Sequence, residues 1–149
     1  MPVHSETRKL RYSAQKMYDL VADISAYPAF LPWCSAARIR SRETVGNSEV
    51  VAADLVISFK VFRESFASRV ELRSAAKRIE TQYLEGPFKY MASSWEFTET
   101  DTGCEVVFFV DFEFKNAILQ GIIGVVFNEA MQRIVQAFEK RADALYGAN

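Results

Sequence analysis

Between residues 36 and 114 apolar and polar side chains alternate with a period of two, segment after segment, and outside that stretch the period changes to that of a helix. Residues 36–45 run to a Gly46-Asn47 turn, and 49–61 set Leu55, Ile57, Phe59 and Val61 on one side. Residues 62–72 put Phe62, Phe66 and Val70 on one face with Glu64 and Ser68 between them, and 77–84 end at the turn signal Glu85-Gly86-Pro87. Residues 91–98 align Met91, Ser93, Trp95 and Phe97. After Asp101-Thr102-Gly103, residues 104–114 carry Val106, Phe108, Val110 and Phe112 on one face and Val107 and Phe109 on the other. With a first strand over 2–10, this pattern predicts one curved antiparallel sheet of about six or seven strands.

Ser13 offers an N-cap to AQKMYDLVADI, where Met17, Leu20, Val21 and Ile24 recur at helical spacing. The following YPAFLPWC, residues 27–34, holds two prolines, which lack a backbone donor and fix φ, so it is a loop or broken turn. It is an unusually apolar one. Residues 116–146 contain no proline and form a helix about 46 Å long at 1.5 Å per residue, capped by Asn116.

On a helical wheel the second half of that helix is amphipathic: Phe127, Ala130, Met131, Ile134, Phe138, Ala142 and Leu145 share a face opposite Glu129, Gln132, Arg133, Gln136, Lys140 and Asp143. The first half is apolar all round. Leu119, Ile123 and Phe127 continue the core face, Ile118, Ile122 and Val125 fall on the later polar side, and Gln120 and Gly124 point toward the core. Either the 27–34 loop covers Ile118, Ile122 and Val125 with Phe30, Leu31 and Trp33, or loop and helix are two apolar lips that meet a membrane or partner.

The chain has 149 residues, enough for one core and one domain over 1–149. Half the residues are apolar and twelve are Phe, rings that fill large spaces or line them. A net charge of −1 gives no general attraction to polyanions, and no DNA partner is expected. Arg38, Arg40 and Arg42 would nonetheless share a strand face, either merely solvated or a basic patch with Arg8, Lys9 and Arg11 nearby. Cys34 and Cys104 lack a CxxC spacing and His4, near the N-terminus, is the sole histidine, so no zinc site is predicted. No signal-peptide core and no run of roughly 18 apolar residues is seen, which leads us to expect a cytoplasmic protein with reduced thiols.

YPAFLPWC, DLVISFKVFRESFASRV (54–70), SSWEFT (93–98) and DFEFKNAILQ...FNEAM...AFEKRADALYG (111–147) together resemble the coenzyme Q-binding START-like family of the polyketide cyclase and lipid-transport superfamily, across essentially the whole chain. The resemblance implies an α+β helix-grip fold, a curved antiparallel sheet around a long C-terminal helix with a hydrophobic cavity between. It implies a cavity that holds ubiquinone or a similar polyprenyl lipid in support of respiration, without catalysis and with no required cofactor. Bacterial relatives in the family are described as ribosome-association toxins that block subunit joining, which makes a ribosomal subunit the alternative partner, and a cyclase-like enzyme is a further alternative from the wider superfamily.

The residues expected along the cavity are the apolar strand faces opposite the helix: Leu55, Ile57, Phe59 and Phe66, then Trp95 and Phe97, then Phe108, Val110 and Phe112. The helix would add Leu119, Gln120, Ile123, Gly124, Phe127 and Met131, and the loop Phe30, Leu31 and Trp33. These faces exceed what one helix could cover, and that excess argues for a space. A quinone carbonyl wants donors, which Gln120 or the Trp95 indole could supply. Glu64 would either form a salt bridge with Lys60, Arg63 or Arg69 or touch ligand. Asp54, Glu64 and Asp111 are the candidate carboxylates for an enzyme. Ile118, Ile122 and Val125 are candidates for peripheral contact with the cytoplasmic face of the inner membrane.

Overall fold

The computed structural model describes residues 3–59 and 62–147, the side chains of Phe59 and Phe62 excepted. The chain runs β1 (Val3–Leu10), α1 (Ala14–Ala22), a short 3₁₀ turn (Ile24–Ala29), β2 (Cys34–Val45), β3 (Ser48–Phe59), β4 (Phe62–Arg73), β5 (Arg78–Glu85), β6 (Phe88–Thr100), β7 (Gly103–Phe114) and α2 (Ala117–Tyr146). The strands form one antiparallel seven-stranded sheet in the order β1-β7-β6-β5-β4-β3-β2. This is the α+β helix-grip arrangement that the resemblance implies, with the curved antiparallel sheet that the pattern predicts.

Local chemistry places each element. The Ser13 hydroxyl accepts from the Lys16 N–H, and the Asn116 side chain accepts from the N–H groups of Ile118 and Leu119, so both helices start at side-chain caps. At the β6–β7 turn Gly103 has φ +149°, and a Cβ there would lie 2.0 Å from the Leu10 carbonyl oxygen, so only glycine lets β1 approach. Inward and outward faces alternate residue by residue along β7, while β4 and β6 each carry a register shift, at Ala67/Ser68 and Phe88/Tyr90. Val106, Phe108, Val110 and Phe112 are buried, and the convex side carries pairs such as Arg78–Glu96 and Lys89–Glu113.

Four expectations change. Part of the proline-bearing loop is helical after all, because a 3₁₀ turn can take Pro28 where an α-helix would not. The three arginines are split by a β-bulge: pairing of β2 with β3 slips between Ile39 and Ser41, leaving Arg40 over. Arg38 faces Asp54 and Arg40 bonds Asp54 at 2.6 Å on the outer side, whereas Arg42 stands opposite buried Val51 and reaches Glu49 at 3.3 Å. Arg8, Lys9 and Arg11 are not beside them in the sheet, since β1 and β2 are its opposite edges. His4 is buried, not loose: Nε2 is 2.8 Å from Glu6, Nδ1 is 3.3 Å from Asn128, and the ring lies between Phe108 and Phe127.

The fourth change concerns α2. Leu119, Ile123, Phe127, Ala130, Met131, Val135, Phe138 and Ala142 form its buried stripe. Val135 is buried and Leu145 is 51% exposed, a shift of the wheel's face toward Val135. Gly121 and Gly124 do not point at the core; a Cβ on either would meet open space. An 18-residue stretch of α2 also meets the length and composition of a membrane span, although no uninterrupted apolar run does, and its buried stripe packs on the sheet.

Candidate functional site

The sheet curls around α2 without filling the space beneath it. Two adjacent chambers of about 200 Å³ each remain, sharing walls at Leu31, Leu55, Phe66, Met131 and Ile134. The outer chamber is bounded by Leu31, Pro32, Trp33 and Cys34 of the loop, Leu55 and Ile57 of β3, and Leu119, Ile123 and Ala130 of α2, with Phe114 at the strand–helix junction. The second, here called the inner chamber, lies over the centre of the sheet at Ala53, Ser68, Val70, Thr81, Ser93, Trp95, Phe108, Val110 and Phe112, with Tyr27 and Phe138 on its other side. Small residues at Ala53, Ser68 and Ser93 leave the room that the rings surround.

The loop is held firmly. Tyr27 and Phe30 both pack edge-on against Phe138, with ring centroids 5.4 and 5.3 Å away, and the Trp33 carbonyl accepts from the Ser58 N–H at 2.8 Å. Trp33 has φ +65°, a left-handed conformation that bulky residues rarely adopt, and it borders the outer chamber. Burial pushes the Tyr27 phenol far up, and its hydroxyl donates to the Val21 carbonyl. Burial likewise pushes the Cys34 thiol up.

Of the expected lining residues, Leu31, Trp33, Leu55, Ile57, Phe66, Trp95, Phe108, Val110, Phe112, Leu119, Ile123 and Met131 come together around the chambers. The Phe59 side chain lies outside the described residues. Phe30 lies on the outer side of the loop, under the Arg141 guanidinium. Phe97 is plain core between Trp95 and Tyr18, and Phe127 packs on Phe112 and His4. Gln120 is not a cavity donor: its Oε1 accepts from the Phe114 N–H at 2.8 Å, tying α2 to β7. Gly124 faces the exterior.

The loop does not cover the apolar outer side of α2. It docks on the second half, leaving Ile118 71% and Val125 86% exposed, with Ile122 half-buried. Glu64 borders the outer chamber and has no ion pair with Arg63 or Arg69; Lys60 lies outside the described residues. Asp54 is taken by Arg40 and Asp111 is on the outer strand face, so neither carboxylate borders a chamber. Sequence reasoning missed Ala130, Ile134 and Phe138 as walls, although they share the apolar helix face of Phe127 and Met131. It also left Ser68, Thr81 and Ser93 unassigned.

The family described as polyketide cyclase / dehydrase and lipid transport matches residues 10–139. The chain is 42% identical over 139 residues, covering 91% of it and 92% of the relative, to a protein of Rickettsia prowazekii named ribosome association toxin RatA. It is 30% identical over 149 residues, covering 97% of it and 59% of the relative, to mitochondrial coenzyme Q-binding protein COQ10 homolog B of Xenopus laevis. Among solved structures it is similar to the 18 kDa protein CC1736 of Caulobacter crescentus, with TM-score 0.82, 33% identity, and coverage of 99% of this chain and 100% of that one. An aromatase/cyclase of a Streptomyces species, at TM-score 0.78 and 18% identity over 99% and 98% of the two chains, shares the fold.

Proposed function

The chain belongs to the polyketide cyclase / dehydrase and lipid transport family, and on that premise we propose that it binds a neutral polyprenyl lipid of the ubiquinone type in the two-chambered cavity without transforming it. One observation carries the reading: the described walls are mostly carbon, and the two chambers are neighbours that share Leu31, Leu55, Phe66, Met131 and Ile134. Such a site gains free energy from apolar burial, about 25 cal/mol per Å², and a long isoprenoid supplies that area. The relative named for coenzyme Q binding supports the ligand class. Turnover would need a poised acid or base. Among the described walls the ionisable groups are Tyr27 in the inner chamber, whose proton burial holds in place, and Cys34, whose thiol burial pushes up, and Glu64 at the outer one, so no acid and base face each other across the site.

Exchange would take place at the cytoplasmic face of a membrane, where exposed Ile118 and Val125 beside the outer chamber could enter the interface. Purified protein extracted with organic solvent should yield a quinone or related lipid whose ultraviolet spectrum changes on borohydride reduction, and emptied protein should take up added quinone. Extracts without lipid, combined with no uptake on reconstitution, would remove this reading.

A second reading, association with a ribosomal subunit, is favoured by the names of relatives at 42% and 37% identity. The bulge at Arg40 separates the arginines that a single basic face would need. Of the three, Arg38 and Arg40 stay together on the outer face, where Arg40 is paired with Asp54. Co-sedimentation with 30S or 50S particles in low salt tests this reading, and loss of binding with rising salt is the expected signature.

A further inference from the structure

Among the described residues the inward face of the sheet is mostly apolar, with His4 under α2, Glu64 at the outer chamber, and one group of hydroxyls over the inner chamber. Ser68 on β4, Thr81 on β5 and Ser93 on β6 all line the inner chamber. Thr81 stands directly opposite Ser93, and Ser68 lies on the same face one pair further, next to Val70, the other neighbour of Thr81. Opposed side chains have Cβ atoms about 5 Å apart and diagonal ones about 7 Å, so the three hydroxyls form one patch across three strands, with the Trp95 indole two residues along from Ser93. Among the described residues none of these four side chains has a hydrogen-bond partner on the protein, and Ser68 is 1% exposed. Thr81 and Ser93 are half-buried, so their hydroxyls open onto the chamber, where an oxygen of a bound molecule can reach them.

We propose that Ser68, Thr81 and Ser93, with the Trp95 N–H, are the headgroup subsite of the cavity, taking a carbonyl or hydroxyl oxygen of an uncharged ring while the hydrocarbon tail runs out through the outer chamber. The inference rests on the binding reading above and adds to it a polar end, an orientation and a selectivity. Hydroxyls both donate and accept, so oxidised and reduced rings fit alike. No ionised side chain faces the inner chamber among the described residues. A carboxylate or phosphate head would therefore be buried without a counter-charge, a penalty no hydroxyl offsets. The ligand class is thus quinones, quinols and prenylated phenols, and it excludes fatty acids and phospholipids.

The test uses the full chain and the double variant Thr81→Val/Ser93→Ala, which keeps volume and removes the hydroxyls, with Ser68→Ala as a milder second variant should the double one fold poorly. Three probes are titrated by calorimetry: a decyl-substituted benzoquinone, tetradecane and myristate. Expected are quinone binding in preference to myristate, a roughly tenfold loss of quinone affinity in the double variant, unchanged tetradecane binding, and a thermal midpoint that stays or rises. Equal quinone affinity in wild type and variants overturns the subsite while leaving the cavity reading intact, and so does tighter binding of myristate than of quinone. If the wild type binds neither quinone nor tetradecane, the cavity reading fails and takes the subsite with it.

Discussion

The two halves of α2 are built from one continuous helix and held in different ways. The second half is anchored at every turn: Phe138 is wedged among Tyr27, Phe30 and Trp95, Arg8 bonds Glu139 at 2.8 Å, Tyr12 donates to Asp143, and the Tyr146 hydroxyl reaches the Lys16 carbonyl at 3.2 Å. The first half is held by Leu119, Ile123, the Gln120–Phe114 bond and the Asn116 cap, with Ile118 and Val125 exposed and glycines at 121 and 124 meeting nothing. Local opening follows contact density. The second half, with the loop docked on it, is therefore the firmly held end, and the first half, which borders the outer chamber through Leu119 and Ile123, is the end more open to local movement.

Breaking the anchor should have the largest effect. Phe138→Ala removes a ring that is 3% exposed and borders the inner chamber, so urea unfolding should show a loss of about 3–5 kcal/mol. A loss below about 1 kcal/mol would mean that the second half is not the anchor. Thiol chemistry sharpens the contrast. Cys104, pairing with Leu10 at the anchored end and fully buried, has its thiol pushed up to about 11, while Cys34 borders the outer chamber with a smaller upward push. At pH 8 iodoacetamide should therefore modify Cys34 slowly and Cys104 scarcely at all, since a raised thiol pKa leaves less thiolate. Filling the cavity with quinone should slow Cys34 further. A smaller effect belongs to Tyr12→Phe, which removes two partly exposed bonds, the one it donates to Asp143 and the one it accepts from Arg11, and should cost about 1 kcal/mol by the same unfolding measurement.

The alternation of period two gave the strands and the inward faces of β6 and β7 nearly residue by residue, and Ser13 and Asn116 marked both helix starts. What stayed illegible depends on partners distant in the chain. The bulge at Arg40 arises from a register slip against β3, which no count along β2 reveals. Gln120 looked like a ligand donor because a wheel gives direction but not the Phe114 N–H waiting there. Gly124 was read as room for a ligand, while the real room comes from Ala53, Ser68 and Ser93 on the sheet. His4 seemed peripheral until β1 paired with β7 and carried it under α2.

The smallest effect on stability is expected at the exposed end, and it is the one that tests what that end is for. Ile118 and Val125 lose almost no apolar contact when shortened, because they have almost none, so the double variant Ile118→Ser/Val125→Ser should unfold within about 0.5 kcal/mol of wild type. Two large apolar side chains kept in water on a helix that borders the cavity mouth have no packing role, and their burial in a bilayer surface would gain roughly 1.5–3 kcal/mol each. The variant should therefore lose flotation with liposomes and transfer quinone between vesicles more slowly, with its equilibrium affinity for quinone in solution unchanged. Equal transfer rates in wild type and variant would show that ligand enters elsewhere, and would leave the looseness of this half of α2 without a function.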